Sequence, residues 1–258
     1  MVKYMQRDEL VKYLDNLLAL RDFSGDVSNN GLQIEGNAVV RKIAFAVDGC
    51  QQTIDFAAKE KADFLFVHHG LSWGGGLKRW TGIDARRFAV LFNHGISLYA
   101  AHLPLDAHAE LGNNAVLSNM IGLQEREKFF NYDGVDIGFA GVVPGEKSVR
   151  AIADILMAAL GINSCLIRGD ESRICSRAAV VSGGGGIDSI FEAAAAGCDL
   201  LITGEMEHIM HHAALETGVA VIALGHYASE TTGPRALMEH IKTKFGIEVC
   251  FAECPTGL

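Results

Sequence analysis

The chain has 258 residues, of which 49% are hydrophobic and 21% are charged, and this mix excludes a disordered chain, a collagen-like repeat and a coiled coil. Its formal net charge of −9 argues against nonspecific binding to nucleic acid or to an anionic membrane, because both need basic patches. No apolar run approaches the roughly 18 to 20 residues of a membrane span. The six cysteines form no C-x-x-C pair, which is typical of reduced thiols in a cytoplasmic protein.

Short β-rich runs alternate with helical patterns along the chain, which predicts an α/β fold. The predicted helices cover about residues 7–20, 51–61, 84–93, 147–160, 187–196, 207–216 and 232–245. The predicted strands cover residues 43–47, 64–67, 96–101, 137–143, 178–181, 200–203 and 219–224. A Gly/Trp loop is expected between Leu71 and Trp80.

An internal repeat relates the two halves of the sequence. The segment Lys42–Val67 aligns with the segment that lies 136 residues later in the sequence, so that Asp63 corresponds to Asp199. Both copies contain a strand, a helix, an aspartate and a second strand, which is the pattern of a βαβ unit. The repeat therefore predicts two similar α/β domains, residues 1–125 and 126–258, with the last elements able to pack back on the first domain.

His68 and His69 come directly after the predicted strand 64–67. Neighbouring side chains of a strand point to opposite faces, so the two histidines cannot both pack in the core. At the carboxyl end of a strand they would project into the crevice where open α/β sheets bind ligands. Divergent imidazoles there can bind two different ions, or one ion and one substrate group. A polar loop start is the alternative for this pair alone.

Two His-x3-carboxylate segments also follow predicted strands, and they align in the repeat at an offset of 124. They are His102-Leu-Pro-Leu-Asp106 and His226-Tyr-Ala-Ser-Glu230. Pro104 is expected to block helix formation and to hold the first segment as an extended or turned loop. Either spacing alone is common in surface loops, but two copies at equivalent places beside a histidine pair indicate a function.

These segments predict a site for divalent metal ions. The ligand set is His68, His69, Asp106, His226 and Glu230. Mixed nitrogen and oxygen donors suit Zn, Fe(II), Mn or Ni better than Ca or Mg. One catalytic Zn needs only three protein ligands, and a carboxylate such as Glu230 can bridge, so the set favours two ions. Two such ions would lower the pKa of a shared water and supply a hydrolytic nucleophile near neutral pH.

Three further features carry weaker signals. The run Ser182–Gly186 before a predicted helix could bind a phosphate, but a tight strand-to-helix turn explains it equally well. The histidines of the predicted helix 207–216 fit a solvated helix surface better than a metal site. Trp73 and Trp80 could form an aromatic wall for a planar ligand, although a packed loop is the simpler interpretation.

Six short motifs follow one another over nearly the whole chain. They are Gly31-Leu-Gln33, His68-His69-Gly70, Ala101-His-Leu-Pro-Leu-Asp-Ala-His108, Leu111-Gly-Asn-Asn114, Thr203-Gly-Glu205 and Gly225-His226-x3-Glu230. This ordered set resembles the Nif-three-like family of dinuclear-metal hexameric proteins, often named GTP cyclohydrolase 1 type 2 homologs. The resemblance implies two similar α/β domains, a toroidal homohexamer and two divalent metals in a cleft between the domains. It implies the same five ligands.

The resemblance also suggests what the site does. His102 and Glu205 match polar positions near the family's metals, so we expect His102 to transfer protons and Glu205 to be a supporting carboxylate. The family name suggests a hydrolase that opens the imidazole ring of a small-molecule substrate such as GTP. The main alternative is a non-catalytic, metal-binding hexameric scaffold or a metal-handling protein. A nucleic-acid-binding ring is disfavoured by the charge, and a metal-free structural protein is the remaining alternative.

Overall fold

The computed structural model describes residues 3–75 and 79–258, so part of the expected Gly/Trp loop, residues 76–78, lies outside the described residues. The chain forms two compact units. The first comprises Met1–Leu105 and Pro234–Cys254, and the second comprises Asp106–Gly233 and Pro255–Leu258. Within the described residues, no helix combines the length and the apolar character needed to cross a membrane.

Thirteen strands and ten α-helices alternate along the described chain. Up to residue 120 the elements are β1 (Met5–Gln6), α1 (Arg7–Leu17), a 3₁₀ turn (Leu20–Phe23), β2 (Gly31–Ile34), β3 (Val39–Val40), β4 (Lys42–Asp48), α2 (Gln51–Lys59), β5 (Phe64–His69), α3 (Gly82–His94), β6 (Ser97–Ala100), α4 (Leu103–Asp106) and α5 (Asn113–Met120). The remaining elements are β7 (Gln124–Tyr132), β8 (Val135–Ser148), α6 (Val149–Leu160), β9 (Leu166–Arg168), β10 (Ile174–Val181), α7 (Gly186–Ala195), β11 (Leu200–Thr203), α8 (Met210–Thr217), β12 (Ala220–Ala223), α9 (His226–Glu230), α10 (Thr232–Phe245) and β13 (Glu248–Phe251).

The first unit is built on a five-stranded sheet in the order β13-β4-β5-β6-β2. All neighbours are parallel except β2, which runs antiparallel to β6 at the edge. Alternation along β4 and β5 separates large from small side chains. Phe45 and Phe66 pack together on one face with tilted rings whose centroids are 5.5 Å apart, while Ala44 and Ala46 share a core cluster with Ile54 of α2. Small residues on that face let the covering helices approach the sheet closely.

The second unit is built on a six-stranded sheet in the order β7-β8-β10-β11-β12-β9. Only β10, β11 and β12 are mutually parallel. Helix α6 packs its apolar stripe against this sheet, with Ile152 and Leu156 in the same cluster as Val180 and Ile202. The Ser148 hydroxyl accepts a hydrogen bond from the Ala151 amide (3.2 Å) and so begins this helix.

The α/β class and the internal repeat predicted from the sequence are confirmed. The order β4–α2–β5–α3–β6 in the first unit corresponds to β10–α7–β11–α8–β12 in the second. In each unit the three strands are parallel neighbours, and an antiparallel strand, β2 or β9, closes the same edge. The carboxyl ends of three adjacent strands therefore meet at one edge of each sheet, where the predicted ligands lie.

The compact units do not follow the predicted boundary at 125/126. Residues 106–125 belong to the second unit, because Leu117 and Leu123 pack in the core cluster of its sheet. Asp106 is therefore part of the second unit and not of the first. At the other end, β13 pairs with β4, which is why segment 234–254 belongs to the first unit. The two-domain division at 125/126 stays a prediction.

The loop expected at Pro104 was wrong, and both His-x3-carboxylate segments are helical. Pro104 does not exclude helix, because it lies in the first turn of α4, where a missing backbone N–H costs no intrahelical hydrogen bond. Residues 226–230 also form a helical turn, α9, in which the Ser229 amide donates to the Gly225 carbonyl (3.0 Å). Both carboxylates, Asp106 and Glu230, are thus the last residues of short helices and not parts of open loops.

Candidate functional site

The two histidines that end β5 are oriented by residues at the ends of the neighbouring strands. Parallel pairing places Asp48 of β4 opposite His69, and the His69 Nδ1 donates to the Asp48 carboxylate over 2.8 Å. His68 is fully buried, and its Nδ1 donates to the Ala101 carbonyl, just after β6, over 2.9 Å. Because a carbonyl or a carboxylate can only accept, each Nδ1 carries its proton, and any metal-ligand role falls to Nε2.

His102 is oriented in the same way by a carboxylate from the N-terminal loop. Its Nδ1 donates to Asp26 over 2.9 Å, and its backbone amide donates to the Asn30 side chain over 2.8 Å. The Asp26 side chain is fully buried and also accepts from Asn30 and from the Ser28 amide. Burial by itself would raise the pKa of Asp26, but the hydrogen bonds led by His102 outweigh burial and lower it. Asp26 is therefore a negatively charged support for the imidazole.

The three imidazoles of the first unit form one cluster. The ring centroids of His68 and His69 lie 4.6 Å apart, and His102 lies 5.2 Å from His68 and 5.7 Å from His69. One ligand nitrogen from each ring lies within 4.8 Å of the others. The rings of His68 and His69 thus lie close together, and the binding of different ions by the two imidazoles stays a prediction.

Trp73 and Trp80 have different environments. The Trp73 indole N–H donates to the Gly70 carbonyl (2.8 Å), and its ring packs edge-on against His102 at 5.1 Å. Trp80 packs instead against Phe88, with ring centroids 4.5 Å apart. Only Trp73 thus borders the histidine cluster, as one wall beside it.

In the second unit, His226 lies between two carboxylates. Its Nδ1 donates to Glu205 over 2.7 Å, and its Nε2 lies 3.1 Å from Glu230. The hydrogen bond with Glu230, supported by that with Glu205, raises the pKa of His226 to about 9 although burial opposes the charge. Metal ions bind neutral imidazole, so a divalent cation here would displace the proton that these carboxylates favour.

A close backbone approach positions Glu230. Gly183, the second residue of the Ser182–Gly186 run, has a φ of +61°, and a Cβ built there would lie 2.1 Å from Glu230 Oε1 and 3.3 Å from His226 Nε2. Its amide donates to the Ser229 hydroxyl over 3.0 Å. Glycine is thus required both by conformation and by space. The glycine run is a tight turn that fits around the carboxylate.

Asp106 is held by its own network in the second unit. Its Oδ1 accepts from the Asn113 amide over 2.8 Å and from the Ser182 hydroxyl over 3.1 Å. Asn114 accepts from the Ser182 amide over 2.6 Å and donates to the Ile137 carbonyl over 2.8 Å. The Asn-Asn pair of the sequence motif therefore orients Asp106 and joins it to the end of β10.

The donor atoms fit divalent transition metals. Buried imidazoles whose Nδ1 is hydrogen-bonded to protein oxygen are the usual form of metal-binding histidine. Borderline-soft nitrogen donors with a few carboxylates match Zn, Fe, Mn or Ni. The histidine cluster of the first unit is such a group by itself, and His226 with its two carboxylates has the same chemistry in the second.

Of the carboxylates that support the imidazoles, Glu205 was predicted from the sequence, but Asp26 and Asp48 were missed. Asp26 precedes His102 by 76 residues and Asp48 precedes His69 by 21, and no fixed spacing marks either pair. Asp48 had one usable signal, because it directly follows the predicted strand 43–47, as His68 and His69 follow the predicted strand 64–67. Gly183 was noticed as part of a glycine run, but its contact with Glu230 depends on folding.

The fold and the oriented histidines define a class, that of internally repeated α/β proteins with candidate divalent-metal sites at the carboxyl ends of their parallel strands. Residues 5–256 match the Duf34/NIF3 (NGG1p interacting factor 3) family, and the chain belongs to it. The GTP cyclohydrolase 1 type 2 homolog of Archaeoglobus fulgidus is 46% identical over 254 residues, covering 98% of this chain and 100% of the relative.

Solved structures agree with this membership. The structure titled protein ybgI, unknown function, superposes with a TM-score of 0.89 at 34% identity and covers 98% of this chain and 100% of its own. TTHA1606 from Thermus thermophilus superposes with a TM-score of 0.85 at 40% identity, with the same coverage. The repeated α/β architecture is therefore that of the family.

Proposed function

We propose that this protein is a hydrolase that depends on two divalent metal ions and acts on a nucleotide or related heterocycle such as GTP. The observation that carries the proposal is that His68 and His69, at the end of β5, each have Nδ1 hydrogen-bonded to a protein oxygen and offer ligand nitrogens within 4.8 Å of each other. That pattern is characteristic of histidines that bind metal. The shared name of the relatives, GTP cyclohydrolase 1 type 2 homolog, supports the substrate class.

The proposed ligands come from both halves of the repeat. They are His68, His69, Asp106, His226 and Glu230, with two ions per chain drawn from Zn, Fe, Mn or Ni. When bound, the ions would supply Lewis acidity that lowers the pKa of a water molecule. The chain's own residues do the orienting. Asp48 fixes the ring of His69 and Glu205 fixes that of His226.

His102 is proposed to carry the proton. Asp26 accepts from its Nδ1, so the proton that moves is exchanged at Nε2, and the buried carboxylate stabilises the imidazolium that forms. The His102 side chain is 20% exposed, which leaves it within reach of a substrate. General acid–base help of this kind contributes about 10² to 10⁴ in rate.

We also propose a toroidal homohexamer in the cytoplasm. The hexamer rests on the family resemblance, and the cytoplasmic location is supported by six cysteines that are not disulfide-bonded. Light scattering on the eluting protein should give about 166 kDa, six times the 27.7 kDa of one chain. A mass of one or two chains would contradict the hexamer.

Metal analysis combined with turnover tests the proposal. Protein purified without a metal-affinity tag should contain two divalent ions per chain and should convert GTP to a ring-opened product detectable by mass spectrometry. A chelator should abolish turnover, and Mn or Zn should restore it. The exposed His94 of α3, changed to Ala, is the control that should alter neither quantity. Fully metallated protein without activity on GTP or other common nucleotides would instead indicate the metal-binding scaffold.

A further inference from the structure

Two cysteines far apart in sequence lie side by side in the first unit. The Sγ atoms of Cys50 and Cys254 are 3.8 Å apart, although 204 residues separate the two positions. Both side chains are half-buried. The pair lies away from the proposed ligands in sequence, and the function proposed above makes no use of it.

The sheet fixes this proximity. Cys50 follows β4 and Cys254 follows β13, and these strands are parallel neighbours with Phe45 paired to Phe251. The Ala252 amide continues the pairing by donating to the Phe45 carbonyl over 2.8 Å. Both thiols therefore lie just beyond the carboxyl ends of adjacent strands, so their approach is a property of the core sheet.

We propose that Cys50 and Cys254 form a reversible intramolecular disulfide in response to peroxide. A disulfide has an S–S length of about 2.05 Å, so the sulfurs must close by about 1.8 Å. Rotation of the two side chains, with small shifts of the turn at Cys50 and of the segment after β13, supplies that movement. Because the partners are already neighbours, intramolecular closure is favoured over oxidation to irreversible products.

The chemistry balances with hydrogen peroxide as the oxidant. The Cys50 thiolate attacks peroxide, forming an S–O bond, and the released hydroxide takes up a proton and leaves as water. The Cys254 sulfur then attacks the sulfenic sulfur of Cys50, forming the S–S bond and releasing a second water. The two thiols together lose two electrons and two protons, and a dithiol reductant reverses the reaction.

The environment assigns the order of the two steps. Cys50 immediately precedes α2, so it lies at the helix terminus that carries a partial positive charge. Burial, followed by the neighbouring Cys50, raises the pKa of the Cys254 thiol to about 11. Cys50 is therefore the thiol that meets peroxide, and Cys254 is the one that resolves it.

The disulfide is positioned to act on the histidine cluster. The Gly49 amide donates to the His69 carbonyl over 2.7 Å, and the Thr53 hydroxyl, which accepts from the Cys50 amide, donates to the Asp48 carbonyl over 2.6 Å. Movement of Cys50 toward Cys254 thus pulls on the turn that carries the carboxylate partner of His69. The consequence for metal binding rests on the proposed function, whereas the disulfide itself does not.

Peptide mapping of the full chain tests the disulfide. Reduced protein is exposed to excess hydrogen peroxide, alkylated and digested, with and without later addition of a dithiol. We expect a cross-linked peptide that joins Cys50 to Cys254 and disappears on reduction. Cys50→Ser and Cys254→Ser should each abolish it, while Cys250→Ser, at a half-buried cysteine of β13, should leave it intact. Alkylation of both thiols after peroxide, or their conversion to sulfinic acid without a cross-link, overturns the proposal.

Hydrogen–deuterium exchange tests the effect on the turn without any need for metal. In the oxidised protein we expect amide exchange to change several-fold in peptides that contain Gly49 and Thr53, and to stay unchanged in peptides from β11. A cross-linked protein with the same exchange as the reduced protein overturns the link to His69. If the reduced protein binds no metal, the proposed function is refuted. Peptide mapping and hydrogen–deuterium exchange still test the disulfide and its effect on the turn, because neither measurement needs metal.

Discussion

The two units share a scaffold and differ in the chemistry that they attach to it. In each half of the repeat, three adjacent parallel strands are followed by a short helical turn with a His-x3-carboxylate spacing, although the first of these carboxylates, Asp106, belongs to the second unit. In the first unit the middle strand ends in His68 and His69, whereas in the second it is followed by Gly204 and Glu205. The first unit thus contributes mainly nitrogen donors and the second mainly oxygen donors. The strands determine where the side chains lie, and the few residues that follow each strand determine the chemistry.

The second unit holds His226 by a carboxylate, Glu205, as the first unit holds its imidazoles, but it orients Glu230 by a different means. In the first, carboxylates from other segments, Asp26 and Asp48, hold the imidazole rings. In the second, the backbone of Gly183 approaches Glu230 so closely that a Cβ at this position would lie 2.1 Å from Oε1, and Glu230 would have to move. Ring orientation by a hydrogen bond tolerates small shifts, while orientation by steric contact does not. The following variants test this contrast, from the largest expected effect to the smallest.

Loss of an oxygen donor from the second unit should have the largest effect. Glu230→Ala is expected to lose more metal than Asp106→Ala, because we propose that Glu230 bridges both ions. His226→Ala should also lose metal. Circular dichroism should show unchanged secondary structure in all three, since these short turns contribute little to the core. Elemental analysis that still finds two metals per chain in Glu230→Ala would show the bridging role to be wrong.

If His102 of the first unit transfers protons, its loss should lower the rate of turnover without lowering the metal content. His102→Ala should lower GTP turnover by about 10² to 10⁴ while both metals stay bound. The measurement is turnover and metal content on the same preparation, with His94→Ala as the control. If His102→Ala loses metal in proportion to activity, His102 is a ligand and not a proton carrier.

Orientation by hydrogen bond can be weakened without changing size. Asp48→Asn keeps the shape of the side chain but removes the charge that accepts from His69, so metal affinity should fall by about 10- to 100-fold. A competition titration with a chelating dye measures the change. The exposed Asp55 of α2 provides the control, and Asp55→Asn should bind metal as the wild type does. If Asp48→Asn binds metal as tightly as Asp55→Asn, the charge of Asp48 does not contribute to metal binding.

Orientation by steric contact predicts an effect confined to one glycine. Gly183→Ala should weaken metal binding about tenfold, because the added methyl displaces Glu230. Gly186 is the matched control, since its φ of +65° carries the same backbone strain but nothing lies within 4 Å of an added Cβ. Both alanines should cost about 1 kcal/mol of stability in thermal melts. If Gly183→Ala and Gly186→Ala bind metal equally well, the contact with Glu230 does not control metal affinity.

The repeat made much of this fold predictable. Aligning Asp63 with Asp199 identified two βαβ units, and buried apolar runs such as 64–67 and 200–203 appear as strands within two residues of the predicted bounds. The candidate ligands could be named because they immediately follow those strands. Local sequence was sufficient to predict a feature wherever the residues that determine it are close together in the chain.

Prediction failed where partners are distant or patterns are mixed. β7 was missed because its run of charged residues hides the strand, although Asp133-Gly134 after it is the dipeptide of a tight hairpin turn with positive φ at both positions. β13 was missed because four residues near Glu248 carry little periodicity, and its pairing with β4 depends on a contact across the chain. Asp26 and Asp48, the carboxylate partners of His102 and His69, were missed for the same reason.

The late position of β13 in the sequence has a consequence for synthesis on the ribosome. The outer edge of β4 has no partner strand until residues 248–251 emerge, 200 residues after Asp48. At about 5 to 20 residues per second, translation takes roughly 10 to 40 s to cover that distance. The second sheet, whose strands lie between Gln124 and Ala223, is synthesised entirely within this interval. The nascent first unit thus carries an open strand edge, a surface that chaperones can shield, for most of its time on the ribosome.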